Sequence, residues 1–162
     1  MTEDAVTRLA RTLGRSCLRR KVSVCVAESC TGGGVAEAIT RIPGSSRWFD
    51  RGFVTYTNEA KRAMLGVSRR ALKAHGAVSE AVACAMALGV LKRSSADVSV
   101  AVTGIAGPGG GSPAKPVGLV WLAWAARGDL VQAHAFRLRG GRAQVRRQSV
   151  CVAIQGLIDL LR

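Results

Sequence analysis

The sequence predicts an α/β fold: a mixed sheet covered by helices on both faces. Three observations predict it. Five short apolar segments rich in Val, Ala, Thr and aromatic residues read as strands, at 22–27, 53–57, 97–103, 117–126 and 130–138. Between the first three, apolar residues recur at helical rather than alternating spacing. Gly-rich turns follow two of the strands, at 28–34 and 103–112, where α/β sheets place their ligands.

In chain order, residues 3–19 come first and set Val6, Leu9, Ala10, Leu13, Cys17 and Leu18 on one helical stripe. VSVCVA (22–27) is a buried strand, and VAEAITRI beyond the Gly-rich turn is a helix broken by Pro43-Gly44-Ser45-Ser46. FVTYT (53–57) is the second strand. Asn58 is the expected N-cap of a helix through Leu65, Ser68 that of a short helix ending near Gly76, and Ser79 that of a longer one through about Arg93. DVSVAVT (97–103) is another buried strand. The last two strands flank Arg127-Gly128-Asp129 and read as an antiparallel hairpin. A final helix over 143–161 turns Val145, Ser149, Val152, Gly156, Leu157 and Leu160 inward. With 162 residues and no repeat or linker, one domain over 1–162 is expected.

Composition narrows the function. A chain that is 48% apolar and 21% charged is globular, not disordered. No apolar run reaches the ~18–20 residues of a membrane span, and the N-terminus lacks a signal-peptide core. No membrane partner is expected, and the expected location is the cytoplasm. The five cysteines are odd in number with no C-x-x-C pair, which argues against a disulfide framework or a zinc site. The net charge of +14 would suit nucleic acid. Yet 19 of the 24 basic residues are Arg spread along the whole chain, and three Trp, one Tyr and three Phe leave little for base stacking. No DNA-reading motif is recognisable, so no nucleic-acid partner is expected. An anionic small substrate suits the same surface.

Three constellations could carry chemistry. The turn from Glu28 to Gly34 opens a helix and offers N–H groups to an anion, with Thr31, Gly32 and Gly33 as candidate ligands. It lacks the lysine of a Walker A loop. The loop that follows Thr103, Gly104 to Pro113, holds five glycines and two prolines, unusual for a plain connection. There Thr103 would point a hydroxyl into the crevice, and Gly104 and Gly107 would offer backbone. The third constellation is Ser45-Ser46 with Tyr56 and Lys61. A serine needs a base, and neither His75 nor His134 has an evident acid partner, so a Ser-His-Asp triad is a weak reading. Lys61 lies in the first turn of a helix beside Arg62, where dipole and neighbour both disfavour its charge.

Taken together, AESCTGG (27–33), PGSS (43–46), RGFVTYTNEAK (51–61), HGAVSE (75–80), AVTGIAGPGGGSPAKPVGLVW (101–121) and GGRAQVRR (140–147) resemble one family. It is the CinA C-terminal domain family, with its stand-alone bacterial nicotinamide-nucleotide amidohydrolases, and the resemblance runs from about Val22 to Leu161. It implies a three-layer α/β/α sandwich and hydrolysis of nicotinamide mononucleotide to nicotinate mononucleotide and ammonia. It also implies a Ser/Lys pair, with no metal and no cofactor. Within the matching motifs Ser46 would be the nucleophile and Lys61 the base, with Ser29, Tyr56 and Thr103 as further polar residues of the site. Ser29 sits in an equally matching motif and is the competing nucleophile. Backbone N–H groups and Arg142 would hold the substrate phosphate. A dimer is the expected assembly. The alternative function is a nucleotide-binding module without catalysis. Family members carry Gly-Asp-Arg where this chain has Gly140-Gly141-Arg142, which puts the local loop geometry in question.

Overall fold

The computed structural model describes residues 4–162. Five strands form one sheet in the order β2-β1-β3-β4-β5. Here β1 is Val24–Glu28, β2 Phe49–Val54, β3 Val98–Gly104, β4 Leu119–Ala126 and β5 Leu130–Arg137. β1 pairs in parallel with both β2 and β3, while β3–β4 and β4–β5 are antiparallel. The sheet is mixed, as the sequence predicts. All five residues of β1 are buried, the mark of a central strand covered on both faces.

Six α-helices cover the sheet among the described residues: α1 (Ala5–Arg20), α2 (Gly34–Thr40), α3 (Asn58–Leu65), α4 (Arg69–His75), α5 (Glu80–Lys92) and α6 (Arg142–Leu160). α1, α2 and α6 bury Leu13, Ile39 and Ile154 with Val26 and Val100 on one face. α5 buries Val82, Met86 and Val90 with Cys25, Ala27 and Ala123 on the other, where Leu65 of α3 and Leu72 of α4 join them. The connection β1–α2–β2 lies on the first face and β2–α3–α4–α5–β3 on the second. This change of face beside β1 makes the C-terminal edge of β1, β2 and β3 a switch point, the crevice where such sheets take ligands.

Several boundaries depart from the sequence reading. β2 runs Phe49–Val54 rather than 53–57, because pairing with Val24–Glu28 ends there. Thr57, not Asn58, caps α3: its Oγ1 accepts from the Ala60 N–H at 3.0 Å. Ser68 and Ser79 cap α4 and α5 as expected. The expected start of the first helix at residue 3 lies outside the described residues, and Leu18 of its stripe is 42% exposed. In α6 the inward face is Val145, Ser149, Ala153, Ile154, Leu157 and Ile158. Val152, Gly156 and Leu160 are only half-buried, and Gly156 instead leaves room for the Trp124 indole, which a Cβ there would meet at 2.2 Å.

Candidate active site

A cavity of about 270 Å³ opens at the C-terminal edge of the three parallel strands. Each element contributes by ending there. Ser29 and Cys30 follow β1, Tyr56, Asn58 and Lys61 follow β2, and Thr103 to Gly110 close β3. Ala77 and Val78 come from the turn before α5, and Arg142 opens α6.

Lys61 is the most unusual residue in the molecule. Its side chain is 1% exposed. Nζ donates to Ser29 Oγ at 3.0 Å and to the Thr55 carbonyl oxygen at 2.9 Å. Burial holds its pKa below the ordinary lysine value, because removal from water penalises the charged form. Cys30 beside it is buried, and burial pushes its thiol up to about 11, so it is protonated at neutral pH and no competing nucleophile.

The rest of the rim is hydrogen-bonded into place. Arg142 donates from Nη1 to the Gly107 carbonyl (2.8 Å) and from Nη2 to Tyr56 Oη (2.7 Å). Tyr56 is 56% exposed at the mouth. Thr103 Oγ1 donates to the Ala77 carbonyl at 2.9 Å. Its hydroxyl ties two walls together instead of standing free in the crevice.

The structure therefore brings together Ser29, Lys61, Tyr56, Thr103, Gly104, Gly107 and Arg142. It does not bring Ser46 to them. Ser46 is exposed in a 3-10 turn, Ser45–Arg47, that precedes β2. Lys61 lies beyond β2, so the two stand at opposite ends of a strand about 17 Å long. Thr31, Gly32 and Gly33 do not line the cavity either. The anion site expected at their turn is filled from within. The Glu28 carboxyl, 1% exposed, accepts from the N–H groups of Gly33 (3.1 Å), Val35 (3.0 Å) and Ala36 (2.9 Å). Thr31 lines a different cleft, with Arg41 and Arg146.

Sequence reasoning misses the parts played by Glu28, Cys30, Thr55 and Arg146. Strand order would have found part of this. In a parallel pair, residues just beyond both strands share an edge, which places Ser29 with Lys61 and Ser46 away from it.

The profile of the CinA C-terminal domain matches residues 6–161. The chain is 52% identical over 157 residues to a Pseudomonas putida protein named nicotinamide-nucleotide amidohydrolase PncC, covering 97% of this chain and 98% of that one. It is 51% identical over 159 residues to the protein of the same name from Escherichia coli strain K12, covering 97% and 95%. The crystal structure of the competence/damage inducible protein CihA from Agrobacterium tumefaciens superposes with a TM-score of 0.95 at 50% identity, covering 100% of this chain and 99% of that one.

Proposed function

The chain belongs to the CinA C-terminal domain family, and from that premise we propose that it hydrolyses the amide of nicotinamide mononucleotide with Ser29 as nucleophile and Lys61 as base. Its relatives are named for nicotinamide-nucleotide amide hydrolysis. The observation that carries the residue assignment is the 3.0 Å contact between Lys61 Nζ and Ser29 Oγ, two buried side chains.

The chemistry grows out of that contact. A neutral Lys61 amine gives one N–H to the Thr55 carbonyl and turns its lone pair to the Ser29 hydroxyl. It takes the Ser29 proton as Oγ bonds to the amide carbon. The carbonyl electron pair moves to oxygen, giving a tetrahedral oxyanion. When that pair returns, the C–N bond breaks and the Lys61 ammonium gives its proton to the departing nitrogen, which leaves as ammonia. Water, deprotonated by Lys61, then attacks the acyl-serine ester, and nicotinate mononucleotide leaves with Ser29 restored. Arg142 spends one N–H on Gly107 and one on Tyr56, so donors remain for the substrate phosphate.

The finer expectations belong to the same proposal. One domain over 1–162 carries the reaction. It works in the cytoplasm, a reading supported by five cysteines that are all free and by the lack of any described helix long and apolar enough to cross a membrane. It acts as a dimer. An uncovered apolar groove of about 530 Å³ beside the edge strand β5, lined by Trp124, Phe136 and Val152, supports that assembly. Light scattering at micromolar protein tests it, and a monomer mass overturns it.

The deciding experiment measures ammonia from nicotinamide mononucleotide for five proteins: wild type, Ser29→Ala, Lys61→Ala, the double variant of these two, and Ser46→Ala. Wild type and Ser46→Ala are expected to turn over alike. Ser29→Ala, Lys61→Ala and their double variant are expected to be about equally slow, because a catalytic pair loses its effect as a unit. Full activity in Ser29→Ala would refute the assignment.

A further inference from the structure

The turn after Ser29 gives all but two of its backbone N–H groups to oxygen acceptors within the protein. Ser29 donates to the Val102 carbonyl (3.0 Å), Gly32 to the Ser29 carbonyl (3.0 Å) and Gly34 to the Thr31 carbonyl (3.1 Å). Gly33, Val35 and Ala36 donate to Glu28. Among the described residues, no oxygen acceptor meets the N–H of Cys30 or of Thr31. These are the two peptide groups directly after Ser29. Backbone donors in so enclosed a place are rarely left without a partner.

Their directions are set by the carbonyls that share their peptide planes, since a trans peptide points its N–H opposite to its C=O. The Ser29 carbonyl, in one plane with the Cys30 N–H, is held by Gly32. The Cys30 carbonyl, in one plane with the Thr31 N–H, is held by Arg146 Nε at 3.2 Å, and Arg146 Nη2 takes the Thr31 carbonyl at 3.1 Å. Arg146 reaches the turn from α6 through a cleft separate from the cavity. Drawing those carbonyls outward sends the Thr31 N–H the other way. Gly32, at φ +58, keeps the approach open: a Cβ there would stand 3.4 Å from Arg146 Nη2.

We propose that Arg146 is a positioning residue for the amide hydrolysis: by fixing the Cys30 carbonyl it aims the Thr31 N–H, and by fixing the Thr31 carbonyl it holds the coplanar Gly32 N–H on the Ser29 carbonyl and so aims the Cys30 N–H, both toward the oxygen of the amide that Ser29 attacks. The inference rests on the reading of Ser29 as nucleophile. As the serine oxygen bonds to carbon, the carbonyl electron pair moves onto that oxygen, and two preorganised donors stabilise the charge it gains. Arg146 itself touches no substrate and transfers no proton.

The test compares wild type, Arg146→Met and Arg146→Lys. It measures ammonia release from nicotinamide mononucleotide, calorimetric affinity for nicotinate mononucleotide, and folding by circular dichroism and melting. Arg146→Met is expected to lower kcat roughly 100-fold, the scale of a lost oxyanion donor, with KM and product affinity little changed. Arg146→Lys, able to hold one carbonyl, is expected to recover part of the loss. A purely structural role would lower kcat and product affinity together, and that result overturns the proposal. So does an Arg146→Met variant with wild-type kcat. Should Arg146→Met fail to fold, an Arg146→Lys variant with unchanged kcat overturns it equally. Wild-type protein that released no ammonia would overturn the functional reading and this inference with it, whereas active wild type beside a fully active Arg146 variant overturns this inference alone.

Discussion

A lysine amine taken out of water sets the terms at the scale of single residues. Lys61 has two hydrogen-bond partners, Ser29 Oγ and the Thr55 carbonyl, and no carboxylate among them. Its charged form is therefore disfavoured and its pKa lies below the ordinary value. That direction fixes the sign for activity. The base must be neutral, so kcat/KM should rise with pH as Lys61 loses its proton, with the midpoint of the rising limb below lysine's usual ~10.4. A rate profile from about pH 5 to about pH 11.5 measures it, and a rise centred at or above that value would exclude Lys61 as the base. Lys61→Arg should be inactive across the range, because a guanidinium does not deprotonate there. At this scale the sequence was half legible. Residue types singled out Lys61, Tyr56 and Arg142, and motif resemblance offered two serines with Ser46 placed first, whereas the structure sets Ser29 beside Lys61. Chemistry alone cannot rank two identical hydroxyls. Their positions along the fold can, since a residue just before a parallel strand and one just after it lie on opposite edges of the sheet.

Elements show where local propensity yields to the site. Thr55-Tyr56-Thr57 has strong β character, yet β2 stops at Val54 and these residues do other work. Thr55 N–H closes on the Glu28 carbonyl at 2.7 Å, its own carbonyl takes Lys61, Tyr56 meets Arg142, and Thr57 caps α3. The helix boundaries were legible where a cap residue marked them, at Ser68 and Ser79. The inward face of α6 was not, because Trp124 occupies the space at Gly156 and donates its Nε1–H to the Ala153 carbonyl at 3.0 Å. Gly141 stands at the N-cap of α6 in extended backbone, φ −75, with no side-chain acceptor of its own. A Cβ there would meet only Gln144 Oε1 at an ordinary 3.5 Å. Gly141→Asp should therefore stabilise the protein by a few tenths of a kcal/mol, a rise of about 1 °C in Tm for a chain of this size. Calorimetric melting checks it, and a fall in Tm would mean that the loop cannot seat the carboxylate.

The whole molecule carries a charge of +14 on an α/β architecture that five apolar segments and the turns between them made legible. Parallel pairing on both sides of β1 was not legible, because composition does not record strand order. So high a charge should produce weak, sequence-independent binding to duplex DNA that moderate salt abolishes. Fluorescence anisotropy at 50 and 200 mM salt tests this, and a complex that persists at the higher salt would point to a nucleic-acid role. One long-range contact has a temporal consequence. Arg146 grips the carbonyls at 30 and 31 across most of the chain's length. A nascent chain that has already delivered Ser29 and Lys61 still lacks the strut behind the turn after Ser29. Synthesis thus imposes its own delay: the turn after Ser29 is braced only once the closing helix has emerged from the ribosome and docked, and an interrupted translation product lacks that brace even though it contains both Ser29 and Lys61.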